Sequence, residues 1–360
     1  MRNSDRPLKR SPLLGATRRR SLAMDGTDLV TTAALHACSA LPLVVRPAVE
    51  GVDLTAWIDK NRTVLDGFLA THGGVLFRGF HVGGLEGLER FSQVMSGGIL
   101  LEYVYRSTPR KRVGDTHIYT STEYPSDQSI PLHNENAYAG RWPIKIWFFA
   151  CVCAETGGET PIADSRNVYR RLDPAVREQF SAKQVMYVRN YGDLDLPWQV
   201  AFQTEDAATV TSYCCEAGID MEWKEGGRLR TRQVLPAVAV HPRTREPVWF
   251  NQAHLFHISA LDSAVRESLL RALPEADLPR NAYYGDGSPI ASEALEAIRA
   301  VYQEETITFR WEPEDILLLD NMLTAHGRNP FTGERRVLVG MAELCSVEVD
   351  KDRMRGGMGR

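Results

Sequence analysis

Apolar positions change period several times along the chain, and each change predicts a different element. Trp57, Ile58, Val64, Leu65, Phe68 and Leu69 recur at helical spacing, stop at Gly73-Gly74 and give way to the short apolar run Val75-Leu76-Phe77. This pattern predicts a helix followed by a strand, packed one on the other. Asp173-Pro174 opens a second helix, with a capping carboxylate and a proline at the first helical position. Further helices are predicted over 263–273 and 292–302, and strands over 144–152, 184–190, 234–241, 248–251, 307–311, 316–319 and 336–341. Turn clusters such as Pro242-Arg243-Thr244 and Glu312-Pro313-Glu314 separate them. Strands and helices do not alternate strictly, which disfavours a doubly wound parallel sheet. The expectation is a mainly β fold with flanking helices, a distorted double-stranded β-helix (jelly roll) buttressed on one side.

Composition narrows the class without identifying it. With 360 residues, 43% of them hydrophobic and 24% charged, the chain can bury a full core. A formal net charge of −4 makes no case for nucleic acid, and the absence of an apolar run of about 18 residues argues against a membrane span. The six cysteines form no Cys-x-x-Cys pair, which suits reduced thiols in a cytoplasmic protein. Arg2, Arg6, Lys9, Arg10, Arg18, Arg19 and Arg20 against a single Asp5 mark a basic start. Segment 1–40 is therefore read as a flexible N-terminal extension, 41–345 as the folded domain, and the Arg- and Gly-rich 346–360 as a flexible tail.

Candidate chemistry centres on His133-Asn134-Glu135. A strand repeats its side-chain direction every two residues, so a His-x-Glu tripeptide in extended conformation would aim both ligating groups at one point. His326, far downstream, would complete two imidazoles and one carboxylate on one face of a metal ion, leaving the opposite face open. That donor set favours non-haem Fe(II) engaged in oxygen chemistry. His254 and His257 could present two imidazoles from one helical turn, but no Glu intervenes as in metalloprotease helices, and structural or substrate-contacting roles are expected. Cys214-Cys215 and Cys151-x-Cys153 are expected to be core residues.

The neighbouring residues carry a resemblance. Ile130-Pro131-Leu132 precedes the tripeptide; Gly157-Gly158-Glu159-Thr160-Pro161 follows it; Asp320-Asn321 precedes Ala325-His326-Gly327-Arg328; and Gly333-Glu334-Arg335-Arg336 closes the set. From about residue 41 to 343 the chain resembles the taurine-dioxygenase-like (clavaminate-synthase-like) family of Fe(II)/2-oxoglutarate oxygenases. It is most similar to the branch of amino-acid hydroxylases from peptide-antibiotic pathways, of the syringomycin-pathway aspartate hydroxylase type. The resemblance implies metal ligation by His133, Glu135 and His326, contact of Thr160 with 2-oxoglutarate, and a clamp on the distal carboxylate of that cosubstrate by Arg336, ten residues after His326, with Arg335 the neighbouring choice. Glu replaces the commoner Asp at 135, a variant used in the antibiotic-pathway branch.

Such a site would use Fe(II), 2-oxoglutarate and O2, releasing succinate and carbon dioxide while a hydrogen is removed from an unactivated carbon and hydroxyl returned. Three protein ligands leave three positions on an octahedral ion, two for 2-oxoglutarate and one for oxygen, and a closed four-ligand site could not do this. Arg suits the distal carboxylate because its fork makes paired hydrogen bonds that Lys cannot. A carboxylate at 135 argues against halogenation, since related halogenases have a small residue there. The expected substrate is an amino acid or derivative, free or tethered to a peptidyl carrier protein, with Glu123 facing its ammonium and Asn251 and Gln252 as amide contacts; Ser121 and Thr122 could face it too. Desaturation or ring closure by the same chemistry is the close alternative, and a non-catalytic binding module the distant one.

Overall fold

The computed structural model describes residues 26–102, 105, 110–114, 116–122 and 124–347. Expectations placed on 1–25, on Glu123 and on 348–360 lie outside the described residues.

The largest sheet has seven strands in the order Val30–His36, Ser39–Pro47, Gly74–Phe77, Ile316–Asp320, Arg141–Val152, Arg336–Ser346 and Tyr119–Thr120. All neighbours are antiparallel except Ser39–Pro47 beside Gly74–Phe77. Arg141–Val152 lies inside this sheet and is apolar on both faces, as a strand covered on both sides must be. Its odd-numbered Trp147 and Phe149 pack with Leu54, Trp57, Leu65, Leu69, Leu88 and Phe91 from the flanking helices. Its even-numbered Ile146, Phe148 and Ala150 face the other way, toward Ile162, Trp311 and Val339.

On that second side lies a three-stranded antiparallel sheet, Ile130–His133, Thr324–Arg328 and Ile162–Asp164. A four-stranded sheet, Asp220–Lys224, Arg228–Leu235, Val185–Tyr191 and Arg280–Tyr284, extends the core further, with Ser292–Glu304 packed beside it through Leu295, Ile298 and Tyr302.

Several expected elements need correction. The helix expected over 57–69 is two helices, Leu54–Lys60 and Arg62–His72, because Asn61 closes the first turn stack with its side chain on the Trp57 carbonyl. The segment 307–311 makes a single bridge to Ile162 rather than a strand. Residues 30–40, placed in a flexible extension, enter the sheet: Val30–His36 pairs with Ser39–Pro47, whose Leu43 and Val45 are core residues. The six cysteines are free thiols.

Candidate active site

The strand Ile130–His133 pairs with Thr324–Arg328 so that His133 and His326 stand directly opposite each other, their rings 4.6 Å apart. Pairing stops there. Glu135 sits in the turn that follows rather than in a continued strand, so period-two alternation does not place its carboxylate. Even so, the candidate ligand atoms of His133, Glu135 and His326 all lie within 4.8 Å of one another. His326 Nε2 is 3.7 Å from Glu135 Oε2, too far for a hydrogen bond, and both ring nitrogens of His326 are buried without a hydrogen-bond partner. Buried polar atoms of that kind call for partners, and an ion ligated through one ring nitrogen would supply one of the two. The His133 Nδ1–H donates to the Pro131 carbonyl at 2.8 Å, which leaves the Nε2 lone pair for a metal. Two imidazoles and a carboxylate at this spacing fit a divalent ion such as Fe(II).

Protonation states agree. Burial, with His326 next to it, lowers the His133 pKa to about 4, and burial lowers that of His326 as well. Burial works against the Glu135 carboxylate, yet the Arg110 guanidinium and the two imidazoles hold its pKa well below the ordinary carboxylate range. Arg110 donates to Glu135 Oε2 at 2.6 Å in a pair that is almost fully buried. All three groups are thus in the ligating form at neutral pH.

A pocket opens beside this cluster, lined by His133, His326, Arg110, Phe148, Thr160, Arg328 and Arg335, with Ser121 and Thr122 at its edge. Its basic end is built by the bend at Gly157-Gly158. Gly158 adopts φ +72°, and a Cβ there would lie 3.0 Å from Arg335 Cδ and 3.1 Å from its Nε, so glycine lets the arginine stem pass. The Arg335 Nε donates to the Gly158 carbonyl at 2.8 Å, and its guanidinium lies over the Phe331 ring. Burial, with Arg328 nearby, lowers the Arg335 pKa to about 10, so it stays charged at neutral pH. Thr160 is buried, and the Trp311 indole N–H donates to its Oγ1 at 3.3 Å. That leaves the Thr160 O–H to donate elsewhere.

The register of the basic pair corrects the expectation. Arg335 lines the pocket, whereas Arg336 is exposed beside Cys151 on the other side of the strand. The strand alternates, and Val337 and Val339 face the pocket side while Leu338 faces the helices. Asn251 and Gln252, expected at the substrate, are bound into the scaffold: Asn251 donates to the Ala237 carbonyl and accepts from Ala253 N–H, and Gln252 donates to the Asn134 carbonyl at 2.7 Å. His254 donates to the Leu132 carbonyl and stacks on Tyr302, while His257 accepts from Ser259 N–H. Neither belongs to a group of three or more candidate metal ligands among the described residues.

Sequence reasoning missed Arg110, Arg328, Phe148 and Trp311. Arg328 had a readable signal, since it lies two residues after His326 on the same strand. Its guanidinium donates to the carbonyls of Tyr124, Pro125 and Gln128, pinning the loop that follows Ser121 and Thr122. Arg110 sits in the basic run Arg110-Lys111-Arg112 and carries no signal that separates it from solvated neighbours.

Comparison with known proteins agrees with this geometry. The chain is 43% identical over 284 residues to the dapdiamide synthesis protein DdaC of Enterobacter agglomerans, covering 78% of this chain and 84% of that one. It is 31% identical over 313 residues to a clavaminate synthase-like protein of Arabidopsis thaliana, covering 83% and 89%. Among solved structures, PvcB of Pseudomonas aeruginosa has the same fold at 16% identity, with a TM-score of 0.53 over 91% of this chain and 94% of that one. Another PvcB structure, with a TM-score of 0.51, is described as an Fe, alpha-ketoglutarate dependent oxygenase from an isonitrile synthetic pathway. Residues 39–342 match the family "Taurine catabolism dioxygenase TauD, TfdA family"; the chain belongs to that family and is an Fe(II)- and 2-oxoglutarate-dependent dioxygenase.

Proposed function

We propose that this dioxygenase hydroxylates an unactivated carbon of an amino acid or amino-acid derivative, free or tethered to a peptidyl carrier protein, in specialised metabolite biosynthesis. His133, Glu135 and His326 hold Fe(II), and Arg335 with Thr160 holds the distal carboxylate of 2-oxoglutarate. The reading rests on one observation: three ligand atoms lie within 4.8 Å of one another, and the pocket that two of them, those of His133 and His326, line also holds a half-buried, charged guanidinium and a hydroxyl freed to donate. We read the seven-stranded and three-stranded sheets around it as the distorted double-stranded β-helix.

Bound Fe(II) with 2-oxoglutarate and O2 supplies the oxidising power for hydrogen removal. The chain's own residues bind and orient. Arg110 keeps Glu135 ionised and fixed through its 2.6 Å hydrogen bond. Arg335 presents a rigid fork that matches a carboxylate, braced by the Gly158 carbonyl and the Phe331 ring. Phe148, its ring 4.9 Å from that of His326, gives the pocket an apolar wall against water. The similarity to a dapdiamide synthesis protein supports an amino-acid-derived substrate, and the carboxylate at 135 supports hydroxylation.

Succinate release should be measured with Fe(II), 2-oxoglutarate and a panel of amino acids, free and carrier-tethered, with product masses. A gain of about 16 mass units marks hydroxylation and a loss of about 2 marks desaturation or ring closure. Full activity of His326→Ala, or no substrate-dependent succinate from any amino acid, would overturn the proposal.

A further inference from the structure

The strand that carries His133 ends at that residue, yet Glu135, two positions on, is held as firmly as a strand residue. In an antiparallel ladder, every second pair of facing residues exchanges a pair of N–H to O=C bonds. Continuation of the ladder would set Glu135 opposite Thr324, but pairing along this edge of the central strand ends at His133 and His326, and the partner of Thr324, Asp164, lies on the opposite edge. The side chain of Asn321 takes the vacant role. Its Oδ1 accepts from Glu135 N–H at 2.6 Å, and its Nδ2 donates to the Glu135 carbonyl at 3.0 Å. The second Nδ2 hydrogen goes to the Pro143 carbonyl at 2.9 Å, so every polar atom of this fully buried amide is satisfied.

The main chain of Asn321 is fixed as well. Its N–H donates to the Ile144 carbonyl at 2.7 Å, and its carbonyl accepts from Asn134 Nδ2 at 2.7 Å. The preceding Asp320 is anchored by the buried His241 and accepts from Met322 and Leu323 N–H, which sets the turn leading into the His326 strand. One short segment therefore fixes His326 through the chain and Glu135 through a side chain.

We propose that Asn321 is a positioning residue for the metal site: its amide stands in for the missing strand residue and sets where the Glu135 carboxylate meets the ion. This rests on the metal assignment made above. Hydrogen-bond partners that orient metal ligands typically change metal affinity by about 10- to 100-fold when removed; Asn321 grips the Glu135 main chain rather than its carboxylate, and a loss of about tenfold or more is expected for Asn321→Ala. Asn321→Asp is nearly isosteric and keeps the acceptor for Glu135 N–H, but it loses both donors and sets an oxygen against the Glu135 and Pro143 carbonyls, so it should weaken binding too.

The test is a double-mutant cycle on Co(II) affinity, measured by titration of the full-length apoprotein without oxygen or 2-oxoglutarate, with thermal unfolding of each apoprotein alongside. If Asn321 acts through Glu135, Asn321→Ala weakens Co(II) binding about tenfold or more in the wild-type background and less than about twofold in the Glu135→Ala background. Asn321→Asp serves in the same cycle where the alanine variant does not fold. Equal losses in both backgrounds, unchanged affinity in the wild-type background, or failure of both variants to fold would overturn the inference, since each points to a residue of the scaffold rather than of Glu135. Wild-type protein that takes up no Co(II) overturns the metal assignment itself, and is told apart by that single titration.

Discussion

Replacing Arg335 by Lys keeps a positive charge at the basic end of the pocket and removes the fork. The native guanidinium spends its Nε on the Gly158 carbonyl at 2.8 Å and lies over the Phe331 ring, so its terminal nitrogens are presented in one orientation. Lysine loses the Nε bond, the ring stacking and one of two parallel bonds to a carboxylate. A hydrogen bond to a charged group contributes about 1.5–3 kcal/mol, which corresponds to a rise of roughly 10- to 150-fold in the 2-oxoglutarate concentration needed for half-maximal turnover. Arg336→Lys is the internal control, because Arg336 is exposed on the other side of the strand, and its effect should stay within about twofold. Succinate formation against 2-oxoglutarate concentration, with Fe(II) saturating, measures both, and 2-oxoglutarate binding to the Fe(II)-loaded protein without oxygen separates affinity from turnover. If Arg336→Lys carries the effect and Arg335→Lys does not, the strand register argued here is wrong.

Three further outcomes follow from the same geometry. Trp311→Phe removes the donor that turns the Thr160 hydroxyl toward the pocket and should raise the 2-oxoglutarate requirement by about two- to fivefold, for a loss of ~0.5–1 kcal/mol, with little change in maximal rate. Glu135→Gly should lower iron content after anaerobic reconstitution and dialysis and abolish hydroxylation, whereas Glu135→Asp should weaken turnover without ending it; wild-type hydroxylation by Glu135→Gly would show that Glu135 is no ligand. The pKa of buried His254 is lowered from 6.5 to about 3 by burial, so its neutral form stabilises the fold fully above pH 6.5 and that contribution is lost as pH falls toward 3. Denaturant unfolding at pH 6.5 and 5 should therefore show a steeper loss of stability in the wild-type protein than in His254→Gln, by up to ~1.4 kcal/mol per pH unit; equal slopes would remove His254 from the account.

Much of the scaffold was legible in the chain because helix caps and strand alternation are local. Asp173-Pro174 starts the helix Pro174–Lys183 as read, and the apolar run after Trp142 is the strand Arg141–Val152. The residue types around His133, Glu135, Thr160 and His326 named the chemistry, since only certain side chains ligate iron or donate to a carboxylate. Position was a different matter. The sequence shows two adjacent arginines but not which of them turns inward, and the pocket lining, with Arg335 and Val339 on the site side, decides it. Asn251 and Gln252 are polar residues in an apolar stretch, a pattern shared by substrate contacts and buried clamps, and only the carbonyls they meet distinguish the two. The placement of Glu135 depends on Asn321, 186 positions away in the chain. Hydrogen bonds between such distant segments have no local period, so the sequence determined which groups are present and the tertiary structure decided which of them meet.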